Sequence, residues 1–252
     1  MRGLLHWLLL LAVAALALQL FFAARIALMA WADPQSTAFE RSEAWRIGTE
    51  KDALRWTQRW LPYNDISDHL KRAVIASEDD AFAYHDGVDW ESLEKAWESN
   101  SKAQAAQQKS LRLSANASKG AAVNGRARNP KIVGGSTITQ QLAKNLFLSG
   151  ERTLARKGQE FVLTMLLEAL LGKERILELY LNHVEWGEGV FGAEAAAQRY
   201  FRKPAAKLSA YEAARLAVML PRPKYFEKLP NSGYLAERAH VIAGRMPNAE
   251  LP

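Results

Sequence analysis

An uncharged run of 22 residues, Gly3 to Ala24, sets the strongest limit on how this chain can fold. As a helix rising about 1.5 Å per residue it would reach about 33 Å, enough to cross a hydrocarbon core of roughly 30 Å. We interpret residues 1–32 as a short cytoplasmic tail and one transmembrane anchor. The alternatives are a buried globular helix or a cleaved signal peptide, since Ala30-Trp31-Ala32 resembles a cleavage site. The apolar segments of signal peptides, however, span only about 7–15 residues.

The remainder of the 252-residue chain has room for one globular domain, and the composition is 49% hydrophobic and 24% charged. The absence of cysteine excludes disulfides and thiolate metal sites. The net charge of +6 resides entirely in residues 99–131, which hold seven basic residues and no acidic one. We interpret this stretch as a basic, low-complexity, disordered insertion, and no recognisable motif supports nucleic-acid binding.

Apart from this insertion, residues 65–252 are predicted to form one mostly α domain, preceded by a polar, irregular lead-in at residues 33–64. No convincing run of alternating strand residues is present. Ser67 is expected to cap a helix, and capping boxes at Thr137-x-x-Gln140 and Ser209-x-x-Glu212 predict two more helix starts.

Two further helices are predicted, from about Arg152 to Leu171 and from Lys173 to Leu181. The second half of the first, residues 161–171, is apolar nearly all round. That pattern is typical of a central buried helix.

The first candidate for chemistry is the acidic cluster Glu78-Asp79-Asp80, followed by Phe82, His85 and Gly87. Such charge runs usually lie on solvated helix ends. Glu78, however, continues the helical spacing of an apolar stripe, so burial is expected to raise its pKa and suit it to accept a proton. His85 is expected to hold the Gly87 turn by hydrogen bonding.

The second candidate is the segment from Gly134 to Asn145, whose glycines and hydroxyls precede a helix N-terminus. A structural turn and cap would explain it, but the same arrangement binds phosphate. Thr137, Gln141 and Lys144 share one helix face, as a site for a pyrophosphate leaving group would require.

The third candidate is a charged stripe on the helix that begins near Arg152. Arg152, Arg156 and Glu160 repeat at intervals of four residues, and Lys157 lies beside them. An exposed salt-bridge ladder is the alternative. The stripe adjoins the apolar half of its helix, where unpaired charges are costly.

Taken together, these segments resemble the family 51 glycosyltransferases, the peptidoglycan glycosyltransferases that occur alone or fused to penicillin-binding transpeptidases. The resemblance covers about Ile66 to Pro223 and rests on five motifs in order. They are Glu-Asp-x-x-Phe-x-x-His-x-Gly at 78–87, Gly-Gly-Ser-Thr-Ile-Thr-Gln-Gln-Leu-Ala-Lys-Asn at 134–145, Arg-Lys-x-x-Glu at 156–160, Lys-x-x-Ile-Leu-Glu-x-Tyr-Leu-Asn at 173–182, and Gly-Val-Phe-Gly at 189–192 with Ala195 and Tyr200-Phe201. The sequence looks like the monofunctional type.

The resemblance implies a lysozyme-like α fold and a transferase that polymerises glycan strands from lipid II, releasing undecaprenyl diphosphate. Glu78 and Glu160 would be its catalytic carboxylates. The implied substrate-binding residues are Ser136, Thr137, Gln141, Lys144, Arg152, Arg156 and Lys157. Asp79, Phe82, His85 and Gly87 would shape the site.

The resemblance implies no obligatory cofactor and no assigned metal ligand, but it leaves room for Mg²⁺ or another divalent cation at the pyrophosphate. The expected partners are lipid II, the lipid-linked nascent glycan, the bilayer, and proteins of cell-wall elongation or division. The expected location is the cytoplasmic (inner) membrane, with the catalytic domain on its periplasmic side.

Two rival functions are compatible with a helical envelope protein. A lytic transglycosylase or muramidase would also use a catalytic glutamate, but it has no diphosphate for Lys144, Arg152 and Lys157 to bind. A non-enzymatic anchored scaffold would leave the charged stripe without a purpose, and fold alone does not decide function.

Overall fold

A computed structural model describes residues 2–51, 55–117, 135–148 and 153–252. Its contacts divide the chain into two units, one of residues 1–87 with 137–252 and one of residues 88–136. The prediction of a mostly α fold is confirmed, and the domain is lysozyme-like.

The first unit begins with helix α1 (Arg2–Leu28), which is long and apolar enough to cross a membrane. Most of its side chains are exposed, but Ile26 and the following Met29 are buried in the core of the domain. The N-terminal anchor and the domain therefore share a packed contact.

The lead-in at residues 33–64 is more regular than the sequence predicted. It contains helix α2 (Ala38–Glu50), which begins with a capping box between Thr37 and Glu40. The prediction of an irregular segment was wrong because α2 lacks a clear apolar stripe. Its place is fixed instead by tertiary polar contacts, such as that between the buried Glu40 and His183 Nδ1 over 2.8 Å.

The fold also contains one small three-stranded sheet in the part of the chain that the structure describes. Its strands are β1 (Thr57–Gln58), β2 (Glu185–Gly187) and β3 (Val190–Phe191), in the order β1-β3-β2. β1 runs parallel to β3, and β2 runs antiparallel to it. Strands of two or three residues carry no usable alternation, so the sequence could not indicate them.

Further helices surround the core of this unit. They are α3 (Asp68–Glu78), α5 (Ile138–Phe147), α6 (Leu154–Leu170), α7 (Lys173–His183), α8 (Ala193–Phe201), α9 (Ala210–Met219), α10 (Pro223–Phe226) and α11 (Gly233–Arg245). Ser67 caps α3, and both predicted capping boxes are formed at α5 and α9. The largest fully buried side chains include Trp186, Tyr180 and Phe82.

The expectation that the second half of α6 is buried on all sides was wrong. Leu163 and Leu167 are fully buried, whereas Phe161, Val162 and Leu170 are about 40% exposed. The reason is that α6 buries one face in the core, and α1 is packed against the helix as well. An apolar sequence alone does not distinguish a helix face that is buried in the core from one that lies beside a membrane anchor.

The second unit contains helix α4 (Trp90–Ala117). The prediction of disorder is therefore wrong for residues 99–117, which continue this helix. Their low-complexity composition is rich in Ala, Gln and Lys, which are good helix formers. Residues 118–131, the rest of the predicted insertion, lie outside the described ranges.

Candidate active site

Glu78 is the last residue of α3, at the end of the apolar stripe that the sequence indicated. Gln141 Nε2, on the first turns of α5, donates a hydrogen bond to Glu78 Oε2 over 3.0 Å. Burial raises the pKa of Glu78 more than this hydrogen bond lowers it; the Asp79 charge raises the pKa as well, and the Lys144 charge lowers it. The raised pKa makes Glu78 a stronger proton acceptor than an ordinary exposed glutamate.

Tyr180 completes this arrangement from α7. Its buried hydroxyl donates to Gln141 Oε1 over 3.0 Å, which fixes the amide so that its NH₂ group faces Glu78. Sequence analysis placed Tyr180 only within the motif at 173–182 and gave it no role. A buried tyrosine needs a partner for its hydroxyl, and that requirement was the available signal.

Asp79 connects α3 to the start of α5. Asp79 Oδ2 accepts the backbone N–H of Ile138 over 2.9 Å, and Oδ1 lies 2.8 Å from His85 Nε2. His85 Nδ1 in turn accepts the backbone N–H of Gly87 over 3.1 Å, so Nε2 carries the ring proton that faces Asp79. The predicted role of His85 in holding the Gly87 turn is confirmed.

Gly87 occupies a position that only glycine fits. Its φ is +84°, and a Cβ atom there would lie 2.7 Å from Thr164 Cγ2. Its carbonyl accepts a 2.6 Å hydrogen bond from Thr137 Oγ1. The fully buried Phe82 supports the same turn, and Lys173 Nζ lies 4.6 Å from the centre of its ring.

The residues of the predicted pyrophosphate face of α5 differ in their contacts and exposure. Thr137 caps the helix and bonds to Gly87, while Gln141 is engaged by Glu78 and Tyr180. The exposed Lys144 is close enough to Glu78 to lower its pKa. Ser136, the exposed residue that precedes Thr137, belongs to the other unit.

The second carboxylate, Glu160, lies on α6 and is 4% exposed. Arg156 Nη1 donates to Glu160 Oε2 over 3.1 Å, and Lys157 Nζ contacts Glu160 Oε1. Arg156 Nε is buried without a hydrogen-bond partner in the described part of the chain. Two cations therefore surround one buried carboxylate, as the spacing predicted, whereas Arg152 lies outside the described residues.

Hydrogen bonds couple α5 to α6 and α7 in the same region. Thr139 Oγ1 on α5 donates to Glu168 Oε1 on α6 over 2.6 Å, and Lys173 Nζ at the start of α7 binds the same carboxylate over 2.9 Å. These links hold the helices that carry Gln141, Glu160 and Tyr180 in one arrangement. This network could not be predicted from the sequence, because its members are distant in the chain.

Among the described residues, no three His, Asp or Glu side chains are grouped so that they could hold a metal ion. A divalent cation at the pyrophosphate stays a prediction.

Comparison with known proteins assigns the chain to a family. The model of the transglycosylase family matches residues 48–110 and 113–247. The chain is 51% identical over 255 residues to a biosynthetic peptidoglycan transglycosylase of Burkholderia thailandensis, covering 100% of this chain and 90% of the relative.

Two further relatives with the same description match over similar lengths. The one from Burkholderia lata is 49% identical over 94% of this chain and 86% of its own. The one from Paraburkholderia xenovorans is 48% identical over 96% of this chain and 90% of its own. The family model and these relatives show that the chain belongs to the transglycosylase family.

Proposed function

We propose that this protein is a peptidoglycan glycosyltransferase that polymerises glycan strands from lipid II. The observation that carries the proposal is a partly buried carboxylate with a raised pKa, Glu78, close to the cation of Lys144. A second cationic group, formed by Arg156 and Lys157 around Glu160, lies on α6, which packs against α5. A base close to one cation, with two more cations on a neighbouring helix, suits a glycosyl transfer in which a diphosphate leaves.

In the proposed reaction, Glu78 takes the proton from the 4-hydroxyl of the lipid II acceptor sugar. The oxygen then attacks the anomeric carbon of the growing chain's terminal, lipid-linked sugar. The bond from that carbon to the diphosphate oxygen breaks, and undecaprenyl diphosphate leaves with the bonding electrons. Attack from the opposite face inverts the configuration and yields a β-1,4 bond.

The cations would stabilise the negative charge that develops on the leaving diphosphate. We assign this role to Lys144 and Arg152, with Ser136, Arg156 and Lys157 positioning the group and Glu160 orienting the last two. The contacts of Gln141 and Thr137 support different roles from direct diphosphate binding. Gln141 orients Glu78, and Thr137 holds the turn before the site.

The alternative function, cleavage of peptidoglycan by a lytic enzyme, can be distinguished by the substrate on which the protein acts. Purified protein should convert lipid II into a glycan polymer and leave preformed peptidoglycan intact. Digestion of preformed strands without synthesis would overturn the proposal. Polymerisation with and without EDTA tests whether Mg²⁺ or another divalent cation takes part.

Membrane anchoring by α1 accords with substrates that carry a long polyprenyl chain and stay in the bilayer. Cleavage after Ala32 would remove Ile26 and Met29 from the core, and with them the Met29 carbonyl that accepts from Arg175 Nε over 2.7 Å. These contacts favour a retained anchor over a signal peptide. The proposal places α1 in the cytoplasmic membrane with the domain on the periplasmic side; binding to elongation or division proteins is not needed for it.

The orientation can be tested by labelling, because the chain contains no cysteine. In cells with a permeabilised outer membrane, a membrane-impermeant maleimide should label Gln35→Cys. The matched variant Gly3→Cys should be labelled only after lysis. The reverse pattern would contradict the proposed topology.

A further inference from the structure

The apolar helix α1 carries one amide side chain near its end, Gln19, and this side chain meets a second amide on α6. Gln19 Nε2 donates to Gln159 Oε1 over 2.9 Å, and Gln159 Nε2 donates back to Gln19 Oε1 over 3.1 Å. The two amides thus satisfy each other. No other pair of hydrogen bonds in the described residues joins the side chains of α1 and α6.

The contact continues along the last turns of α1. Phe22 packs edge-on against Phe147 with ring centroids 5.3 Å apart, and the Arg25 guanidinium lies 5.3 Å from the centre of the same ring. Ile26 is fully buried. The anchor is therefore bound to the domain over about two turns and is not joined to it only by the chain.

The length of the free part of α1 places the amide pair at the edge of the membrane. The sixteen residues from Gly3 to Leu18 are exposed. They would span about 24 Å, less than the roughly 30 Å of hydrocarbon that a bilayer presents. About four more residues, Gln19 among them, are needed to complete the crossing. An unpaired amide would be costly there, whereas a reciprocal pair is satisfied.

Gln159 immediately precedes Glu160, the residue that holds Arg156 and Lys157. Because a helix is stiff over one turn, fixing Gln159 also fixes the rotation and the height of these neighbours. We propose that Gln19 and Gln159 are positioning residues, which hold the cationic cluster at the depth where a membrane-borne diphosphate is presented. This inference rests on the proposed polymerase function.

A double-mutant cycle tests the pair with full-length protein in phospholipid vesicles containing lipid II. Gln19→Leu and Gln159→Leu should each raise KM for lipid II about three- to tenfold, with kcat within about twofold of wild type. The double variant should be no worse than the poorer single variant. The matched control is His6→Leu, which should behave as wild type. Within the described part of the chain, the hydrogen bond of His6 is to the Arg2 carbonyl of its own helix.

A cross-link provides a second measurement that does not depend on loss of activity. Gln19→Cys with Gln159→Cys should be joined in membranes by a bifunctional thiol reagent with a short spacer, and the cross-linked protein should keep the wild-type KM. Leu20→Cys with Gln159→Cys should not cross-link, because Leu20 is 61% exposed.

Three outcomes would each overturn the inference. They are an unchanged KM in the single variants, losses that multiply in the double variant, and a failure of the first pair to cross-link. Failure of the wild-type protein to polymerise lipid II would instead overturn the proposed function.

Discussion

Gln141 donates a hydrogen bond to Glu78 and accepts one from Tyr180, both over 3.0 Å. The relationship between Gln141 and Glu78 sets the protonation of the proposed base, because a hydrogen bond to the carboxylate stabilises its charged form. It opposes the effect of burial, which raises the pKa. The pH dependence of the reaction should therefore respond to changes at Gln141.

Replacing Gln141 by leucine should move the acidic limb of the kcat/KM profile to higher pH, because the loss of this hydrogen bond to the carboxylate raises the pKa of Glu78 further. Tyr180→Phe should move it in the same direction by less, because the amide stays but is no longer fixed. Polymerisation rates measured from pH 5 to pH 9 give the profiles. Profiles that coincide with the wild-type one would show that the bond has no influence on the base.

Gly87→Ala should destabilise the protein by about 2–4 kcal/mol, combining a strained backbone with a steric clash. The clash follows from the 2.7 Å that would separate its Cβ from Thr164 Cγ2. Gly158→Ala is the matched control, because nothing lies within 4 Å of its position; within α6 it should stabilise by about 0.5–1 kcal/mol. Urea unfolding of the solubilised protein measures both. Equal stabilities for the two variants would refute the assignment of Gly87.

Glu185 is a buried carboxylate whose Oε1 lies 3.4 Å from Lys224 Nζ, and burial raises its pKa to about 7 although this ion pair lowers it. Its ordinary value is 4.5. Its contribution to stability is therefore fully present below pH 4.5 and is lost as the pH rises through 7.

Glu185→Gln removes this dependence on pH. We expect the variant to exceed wild type in free energy of unfolding at pH 8 by up to about 3 kcal/mol, and to differ little at pH 4. The control is Glu237→Gln, whose side chain is exposed on α11. A difference from wild type that does not vary with pH would argue against a buried, ionisable Glu185.

Glu160→Gln should lower kcat/KM by at least about tenfold, because a neutral amide holds Arg156 and Lys157 less strongly than a carboxylate does. Glu174→Gln, at an exposed position on α7, is the matched control and should be neutral. Lipid II polymerisation assays of both variants give the comparison. Wild-type activity in Glu160→Gln would remove this carboxylate from the proposed machinery.

The parts of this structure that the sequence predicted correctly are those with local causes. The capping box of Thr137 and Gln140 lies within one turn, and the position of Glu78 follows from the helical spacing of α3. Helix α7 likewise begins and ends within two residues of its predicted bounds.

What the sequence could not indicate depends on contacts between distant residues. Tyr180 meets Gln141 only after α7 packs near α5, and Gln19 meets Gln159 only after the anchor packs on α6. The exposed positions of Phe161 and Val162 were misjudged for a similar reason. Hydropathy indicates that a helix face is apolar, but it does not indicate whether the core, another helix or a membrane lies against that face.

The central claim is that Glu78 is the base for glycan polymerisation from lipid II. The most direct test compares initial polymerisation rates of wild type and Glu78→Gln at equal concentrations of folded protein in lipid II vesicles. The account predicts a loss of about 10²- to 10⁴-fold, the usual contribution of a general base. A folded Glu78→Gln variant that polymerises lipid II at the wild-type rate would contradict it.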